Sequence, residues 1–139
     1  MSVIDKLQNV FNQLNANNLH LLKEIYADNA SFEDPAHRIY GINNLTNYFS
    51  NLYSNIGSCK FIFNSTTVAD KTAFLEWNMH LTHPKLNKGK VVIVSGISKI
   101  IFDEKIVYHR DYFDLGEMLY EQLPYLGAII RQIKKRLGQ

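Results

Sequence analysis

Cysteine is nearly absent from this 139-residue chain: Cys59 stands alone, which excludes an internal disulfide and a cysteine-built metal site. No apolar run is long enough to span a bilayer. The opening Met-Ser-Val-Ile-Asp-Lys lacks a basic stretch followed by an apolar one, so no signal peptide is expected and cytoplasm is the default location. The seven glycines are scattered, which leaves no phosphate-cradling loop, and no His-Glu-x-x-His pair is present. Neither a metal nor a cofactor is therefore expected. Repeats, low-complexity stretches and linkers are missing too, so one domain with its own core is the expectation. The net charge is only +2, and it is unevenly placed. Arg131, Lys134, Lys135 and Arg136 give residues 126–139 a charge of +4 with no acid, against eleven Lys and Arg and thirteen Asp and Glu elsewhere. A nucleic-acid binder usually carries its cations across a face of the fold, so no nucleic acid is expected as a partner.

The first half of the chain has helical periodicity. Ser2-Val-Ile-Asp5 is a capping-box-like start, and Val3, Ile4, Leu7, Val10, Phe11 and Leu14 form one apolar stripe. Asn15 to Asn18 interrupts it, and a short helix with Leu19, Leu22, Ile25 and Tyr26 follows, ending in a turn at Asp28-Asn29. Ala30 to Pro35 reads as a short strand. Ile42, Leu45, Tyr48, Phe49 and Leu52 mark a third helix, closing near Asn55 to Gly57. From Cys59 the period changes to two. Cys59–Ala69, Thr72–His83, Lys90–Phe102 and Lys105–Asp114 read as four long strands with tight turns at Asp70-Lys71 and Asp103-Glu104. In the second of them Ala73, Leu75, Trp77, Met79 and Leu81 face one way and polar residues the other. Helices followed by an antiparallel meander imply an α+β fold, with helices packed on one face of a curved sheet.

The last strand carries the most suggestive chemistry. His109 and Asp111 lie two apart and share a face with Val107 and Phe113, so a carboxylate and an imidazole stand among apolar neighbours. A carboxylate in such surroundings is suited to acid–base work near neutrality, and a histidine beside it to shuttling a proton. About 6–7 Å of strand separates the two residues, which suggests convergence on one water or ligand atom rather than a direct bond. Equally, both can be buried groups tied up in structural hydrogen bonds. His80 and His83, three apart on a strand, face opposite ways and suggest no joint metal site. With His20 they read as inert.

Two motifs resemble a known superfamily. Tyr26-Ala-Asp-Asn-Ala-Ser-Phe-Glu-Asp-Pro35 resembles the ketosteroid isomerase segment Phe-Ala-Asp-Asp-Ala-Thr-Val-Glu-Asp-Pro, whose last Asp is the general base and falls on Asp34. Arg110-Asp-Tyr-Phe-Asp-Leu115 resembles a limonene epoxide hydrolase segment whose first Asp belongs to the catalytic triad and falls on Asp111. With the order of elements from residue 2 to 115, these point to the nuclear transport factor 2-like superfamily and its SnoaL-like branch. The resemblance implies a cone-shaped barrel, a strongly curved antiparallel sheet wrapped around N-terminal helices with an apolar pocket at one end. It also implies a homodimer through the outer sheet face. The catalytic sets are incomplete: Val10 and the neighbourhood of Ser98 occupy the isomerase's oxyanion-hole positions, and Trp77 and Met79 those of the hydrolase's Arg and second Asp.

The expectation is a cone domain over residues 1–115 with a helical extension over 116–139, holding an apolar small molecule. Asp111, Asp34 and His109 are the catalytic candidates of a cofactor-free isomerase, cyclase or hydrolase. Trp77, Met79, Phe32, Phe113 and Val10 are expected as pocket wall or core, and His37 at the mouth. A binding module for an unchanged ligand, or a dimeric scaffold, are the other readings. In the tail, Asp114 to Leu123 and Leu126 to Leu137 read as helical around Pro124. Leu126, Ile130, Ile133 and Leu137 form a stripe beside the four cations. That helix is expected to dock on the domain or a second subunit, or else to bind an anionic membrane surface or an acidic partner.

Overall fold

The computed structural model describes residues 1–138. Helix α1 (Val3–Gln13) opens with the expected capping box: Ser2 Oγ accepts from the Asp5 amide at 3.1 Å, and the Asp5 carboxylate accepts from the Ser2 amide at 3.2 Å. A single 3₁₀ turn and the four-residue α2 (Leu22–Ile25) lead into β1 (Tyr26–Glu33). Strand β2 (Arg38–Tyr40), helix α3 (Ile42–Asn55) and strands β3 (Ser58–Ala69), β4 (Thr72–Thr82), β5 (Val92–Phe102) and β6 (Ile106–Phe113) follow. A short α4 (Leu115–Met118) and the 12-residue α5 (Leu126–Leu137) complete the chain.

The six strands form one sheet in the order β2-β1-β6-β5-β4-β3. The meander from β3 to β6 is antiparallel throughout, with tight turns joining β3 to β4 and β5 to β6 and a longer loop joining β4 to β5. The sheet as a whole is mixed, because β1 pairs with β6 in parallel. Nothing in the local sequence of either strand encodes that pairing; helix α3 is the crossover that carries the chain from the β1–β2 hairpin to the meander whose last strand returns beside β1. Strand β1 is also longer than its sequence suggests. Tyr26, Asp28 and Asn29 belong to it, with the register irregular between Tyr26 and Ser31. The predicted helix over Asp114–Leu123 is broken: α4 stops at Met118 and a 3₁₀ turn takes its place at Tyr120–Gln122.

Inner and outer faces separate cleanly on β4, where Ala73, Leu75, Trp77, Met79 and Leu81 are buried. Against that face lie Leu7, Val10 and Phe11 of α1 and Ile42, Leu45 and Phe49 of α3. Gly96 of β5 stands opposite Trp77, and the indole ring occupies the place a β-carbon would take, so no side chain fits at 96 without displacing Trp77. The outer face is unusually apolar for a solvent-facing sheet: Phe74, Ile93, Ile97 and Tyr112 are each more than 40% exposed.

Candidate active site

Between the inner sheet face, α3 and the segment after β6 lies a cavity of about 460 Å³, within the usual range for small-molecule sites. Its wall is mostly aromatic and aliphatic: Phe32 of β1, Tyr48 and Phe49 of α3, Phe61 of β3, and Trp77 and Met79 of β4. Phe113 closes the β6 side, with Met118, Leu119 and Leu123 beyond it. The chain after residue 115 thus supplies part of the wall. His37, His83 and Lys85 stand on the loops around the cavity.

Strand β6 sets the deep polar groups through a bulge. Val107 is the extra residue where β6 passes the Ile101–Phe102 step of β5, and an extra residue reverses the alternation of faces. Ile106 is consequently buried and Val107 is 40% exposed, so Val107 does not share the inner face expected from strict alternation. Beyond the bulge His109, Asp111 and Phe113 point inward.

His109 and Asp111 bond directly. The imidazole folds along the strand and its Nε2 lies 2.6 Å from Asp111 Oδ1, although the residues' backbone spacing suggested a gap. Tyr26, fully buried, places its hydroxyl 2.6 Å from His109 Nδ1. Burial, then the negative charge of Asp111, hold this phenol well above its ordinary titration range, so it keeps its proton. That proton has no other acceptor among the described residues, which makes Nδ1 the acceptor and assigns Nε2–H as donor to Asp111. Ser98 Oγ donates to the same Oδ1 at 2.5 Å and accepts from Trp77 Nε1 at 2.8 Å. Trp77, Ser98, Asp111, His109 and Tyr26 thereby form one chain of hydrogen bonds, and both bonds to the carboxylate converge on Oδ1. Oδ2 has no partner among the described residues and is not sealed off, so it opens on the cavity.

Asp34 lines the same cavity in a different state. Its Oδ1 accepts from the amides of Ala36 and His37 at 2.8 and 2.7 Å, and its Oδ2 from Tyr48 Oη at 2.7 Å. His37 Nδ1 adds a contact of 3.0 Å. Pro35 holds Asp34 in the extended conformation from which this turn starts. The carboxylate is saturated, and it acts on the cavity only through Tyr48 and His37.

The candidate residues therefore divide. Asp111, Asp34, Trp77, Met79, Phe32, Phe113 and His37 all reach the cavity wall, and Asp111 alone offers it an unengaged carboxylate oxygen. His109, 3% exposed, lies behind the wall among Phe11, Phe32 and Tyr26 and meets no ligand directly. Val10 is core outside the wall. His83, which alternation marked as inert, is at the rim, where the loop after β4 folds back through its Nδ1 to the Lys85 amide at 3.0 Å.

Sequence reasoning missed Tyr53. It lines the cavity, and its hydroxyl has no partner among the described residues. Burial and the neighbouring Cys59 push its titration up, so it stays a phenol and a donor. Only its position one helical turn from Phe49 hinted at an inward direction. Cys59 also lines the cavity; burial, then the charge of Asp111, push its thiol up to about 12. Removing the Asp111 charge lowers that value, so in Asp111→Asn the thiolate forms at lower pH. Iodoacetamide alkylation of Cys59 near pH 9 is expected to run several-fold faster in that variant than in the parent chain. Identical pH profiles for the two would show that Asp111 carries no charge near Cys59.

A set of three or more His, Cys, Asp or Glu side chains placed to hold a metal is absent among the described residues. No helix among them is long and apolar enough to cross a membrane.

Solved structures with the same fold are numerous. One is a protein with a ketosteroid isomerase-like fold from Catenulispora acidiphila, crystallised with trimethylamine; TM-score 0.76, 14% identity, covering 88% of this chain and 93% of that one. A candidate SnoaL-like polyketide cyclase from Jannaschia sp. CCS1 aligns at TM-score 0.73 and 12% identity, covering 84% and 88%. An LEH-like epoxide hydrolase of M. tuberculosis aligns at TM-score 0.71 and 18% identity, covering 94% and 96%. These likenesses establish the cone fold with an open, curved sheet, and no curated protein matches the sequence itself. The SnoaL-like domain model matches residues 7–109, from α1 to the imidazole behind the cavity wall, and the chain therefore belongs to the SnoaL-like family of the nuclear transport factor 2-like superfamily.

Proposed function

We propose that this protein is a cofactor-free acid–base enzyme acting on an apolar substrate, with Asp111 Oδ2 as the group that exchanges a proton with it. The observation that carries this reading is the asymmetry of the Asp111 carboxylate: one oxygen is held by Ser98 and His109, and the other faces an apolar cavity. A fixed base among apolar walls is what proton abstraction from carbon needs. Tyr53 supplies the complementary donor, a protonated hydroxyl able to bind the carbonyl or hydroxyl oxygen on which charge develops. His109 is a positioning residue, oriented by Tyr26 and orienting Asp111 in turn. The family includes cyclases, isomerases and epoxide hydrolases, and a proton moved at one carbon or oxygen is common to all three.

The test is proton exchange. An apolar enolisable ketone incubated with the protein in heavy water is expected to gain deuterium next to its carbonyl faster than in buffer, as followed by NMR. A series of apolar ketones, alcohols and epoxides left unchanged, together with an intact compound extracted from the purified protein, would sink the enzyme reading. The second reading, a binding module, would then hold. Its support is that Asp34 is saturated and that Trp77 and Met79 stand where an epoxide hydrolase needs charged groups.

The apolar outer face, with Phe74, Ile93, Ile97 and Tyr112, supports a homodimer formed there. Sedimentation equilibrium is expected to give a dimer that Ile97→Asp converts to monomers. A monomeric parent chain rules that pairing out.

A further inference from the structure

Helix α5 is fastened to the body by its polar flank. Gly127 lies so close to the Glu121 carbonyl that a β-carbon there would sit 2.5 Å from the oxygen. One turn on, Arg131 Nη1 donates to the same carbonyl at 2.8 Å, and Lys134 Nζ donates to Glu121 Oε1 at 3.1 Å. Gly127, Arg131 and Lys134 form one row on the helix. At about 100° per residue, the row around Leu126, Ile129, Ile133 and Leu137 is turned roughly 120° away from it. These four apolar side chains are 39%, 56%, 58% and 86% exposed, and Tyr125, which leads into the helix, is 88% exposed. Of the expected stripe only Ile130 is half-buried, while Leu126, Ile133 and Leu137 stay exposed with Ile129 beside them, because the contact with Glu121 holds the helix by another side.

We propose that α5 is a docking element for an anionic membrane surface, into which the stripe from Leu126 to Leu137 inserts while the flanking cations meet lipid phosphates. Charge complementarity selects this occupant. Lys134 borders the stripe on one edge and Arg136 on the other, with Arg131 and Lys135 on the far side and no acid in the helix. Long cationic side chains can bury their stems beside the stripe and keep their charge among headgroups. Tyr125 and Tyr120, both exposed at the start of the segment, are residues suited to that interface. A second copy of the chain would offer this helix the same cations and so repel its polar edges. The surface is separate from the Asp111 chemistry, and its test is indifferent to whether the cavity is catalytic.

Co-sedimentation of the full chain with vesicles decides it. Binding to phosphatidylcholine vesicles containing phosphatidylglycerol is expected to exceed binding to pure phosphatidylcholine about tenfold and to fall as salt is raised. Ile133→Asp is expected to abolish it. The double change Lys135→Glu and Arg136→Glu, which leaves the stripe intact, is expected to remove the preference for anionic lipid. Far-UV circular dichroism of both variants checks that the body and α5 remain folded. Equal sedimentation with the two lipids overturns the proposal, and so does an Ile133→Asp chain that binds like the parent. It is also overturned if Ile133→Asp turns an oligomer into monomers, since a second copy then covers the stripe.

Discussion

Asp111→Asn is expected to slow deuterium exchange into an apolar ketone by about a hundred- to ten-thousandfold, the usual worth of a positioned general base. The substitution is close to isosteric, and the amide oxygen can still accept from Ser98 Oγ and His109 Nε2 as Oδ1 does now. What changes is the atom turned to the cavity: an acceptor lone pair becomes an N–H donor. Fold and cavity shape persist while the base disappears. Two controls separate this from a general loss of structure. Circular dichroism and thermal unfolding are expected to match the parent chain closely. Tyr53→Phe, which leaves Asp111 untouched, is expected to reduce the rate by a smaller factor, through loss of one donor. An Asp111→Asn chain that exchanges at the parent rate removes Asp111 from the reaction altogether.

Alkaline unfolding is the second large effect. Burial raises the titration of four groups in the interior of this chain, and in each it is the leading cause: Tyr26, Tyr48, Tyr53 and Cys59. For Tyr48 the hydrogen bond to Asp34 adds to it. In the unfolded chain the thiol loses its proton near pH 9 and the phenols near pH 10, whereas in the folded chain all four retain theirs to higher pH. Across that window the folded state binds more protons than the unfolded one, so stability falls as pH rises. Each group contributes a slope of about 1.4 kcal/mol per pH unit above its ordinary value. Four together exhaust a typical domain stability of about 5–15 kcal/mol within one to three pH units, placing unfolding at about pH 11 to 12. The share of the tyrosinate absorbance that belongs to the buried Tyr26, Tyr48 and Tyr53, three of the eight tyrosines, is expected to rise in one cooperative step that coincides with loss of far-UV circular dichroism. Tyr53→Phe removes one of the four and moves the midpoint upward. Ionisation of all eight tyrosines with the fold intact would show that the three buried side chains are open to solvent.

Much of the architecture was legible. Ser2 and Asp5 cap α1 as their spacing requires, and β4 sorts its residues onto two faces as a period of two demands. Both signals are local, and local signals survive folding when no tertiary contact opposes them. The misreadings share one cause. Val107 is displaced by a bulge whose geometry depends on Ile101 and Phe102 of the neighbouring strand. Tyr26 was read as helical and begins a strand because β6 pairs with it. The direct bond between His109 and Asp111 depends on Tyr26, which bonds to Nδ1, and on Phe32, which meets the imidazole edge-on; both hold it along the strand. Tyr48 reads as an ordinary member of an apolar helix, and Tyr53 carries no signal of its own; that Asp34 binds the Tyr48 hydroxyl, while Tyr53 finds no partner among the described residues, is settled by the turn after β1 and by packing. Asp111 was identifiable as a chemical group from its neighbours in β6. Its free oxygen was not.

The parallel pairing of β1 with β6 bears on when the site comes into being. Tyr26 and His109 are 83 residues apart, and their contact closes a loop that holds every strand from β2 to β5. Strands β3 to β6, by contrast, each pair with the next in sequence, β3 with β4 and β5 with β6 through tight turns and β4 with β5 through the loop over residues 83–91, so these pairings need no distant segment. On the ribosome the chain therefore has a sheet before it has a proton relay. Asp111 acquires Ser98 when β6 pairs with β5, and its histidine is oriented only when β1 docks beside β6.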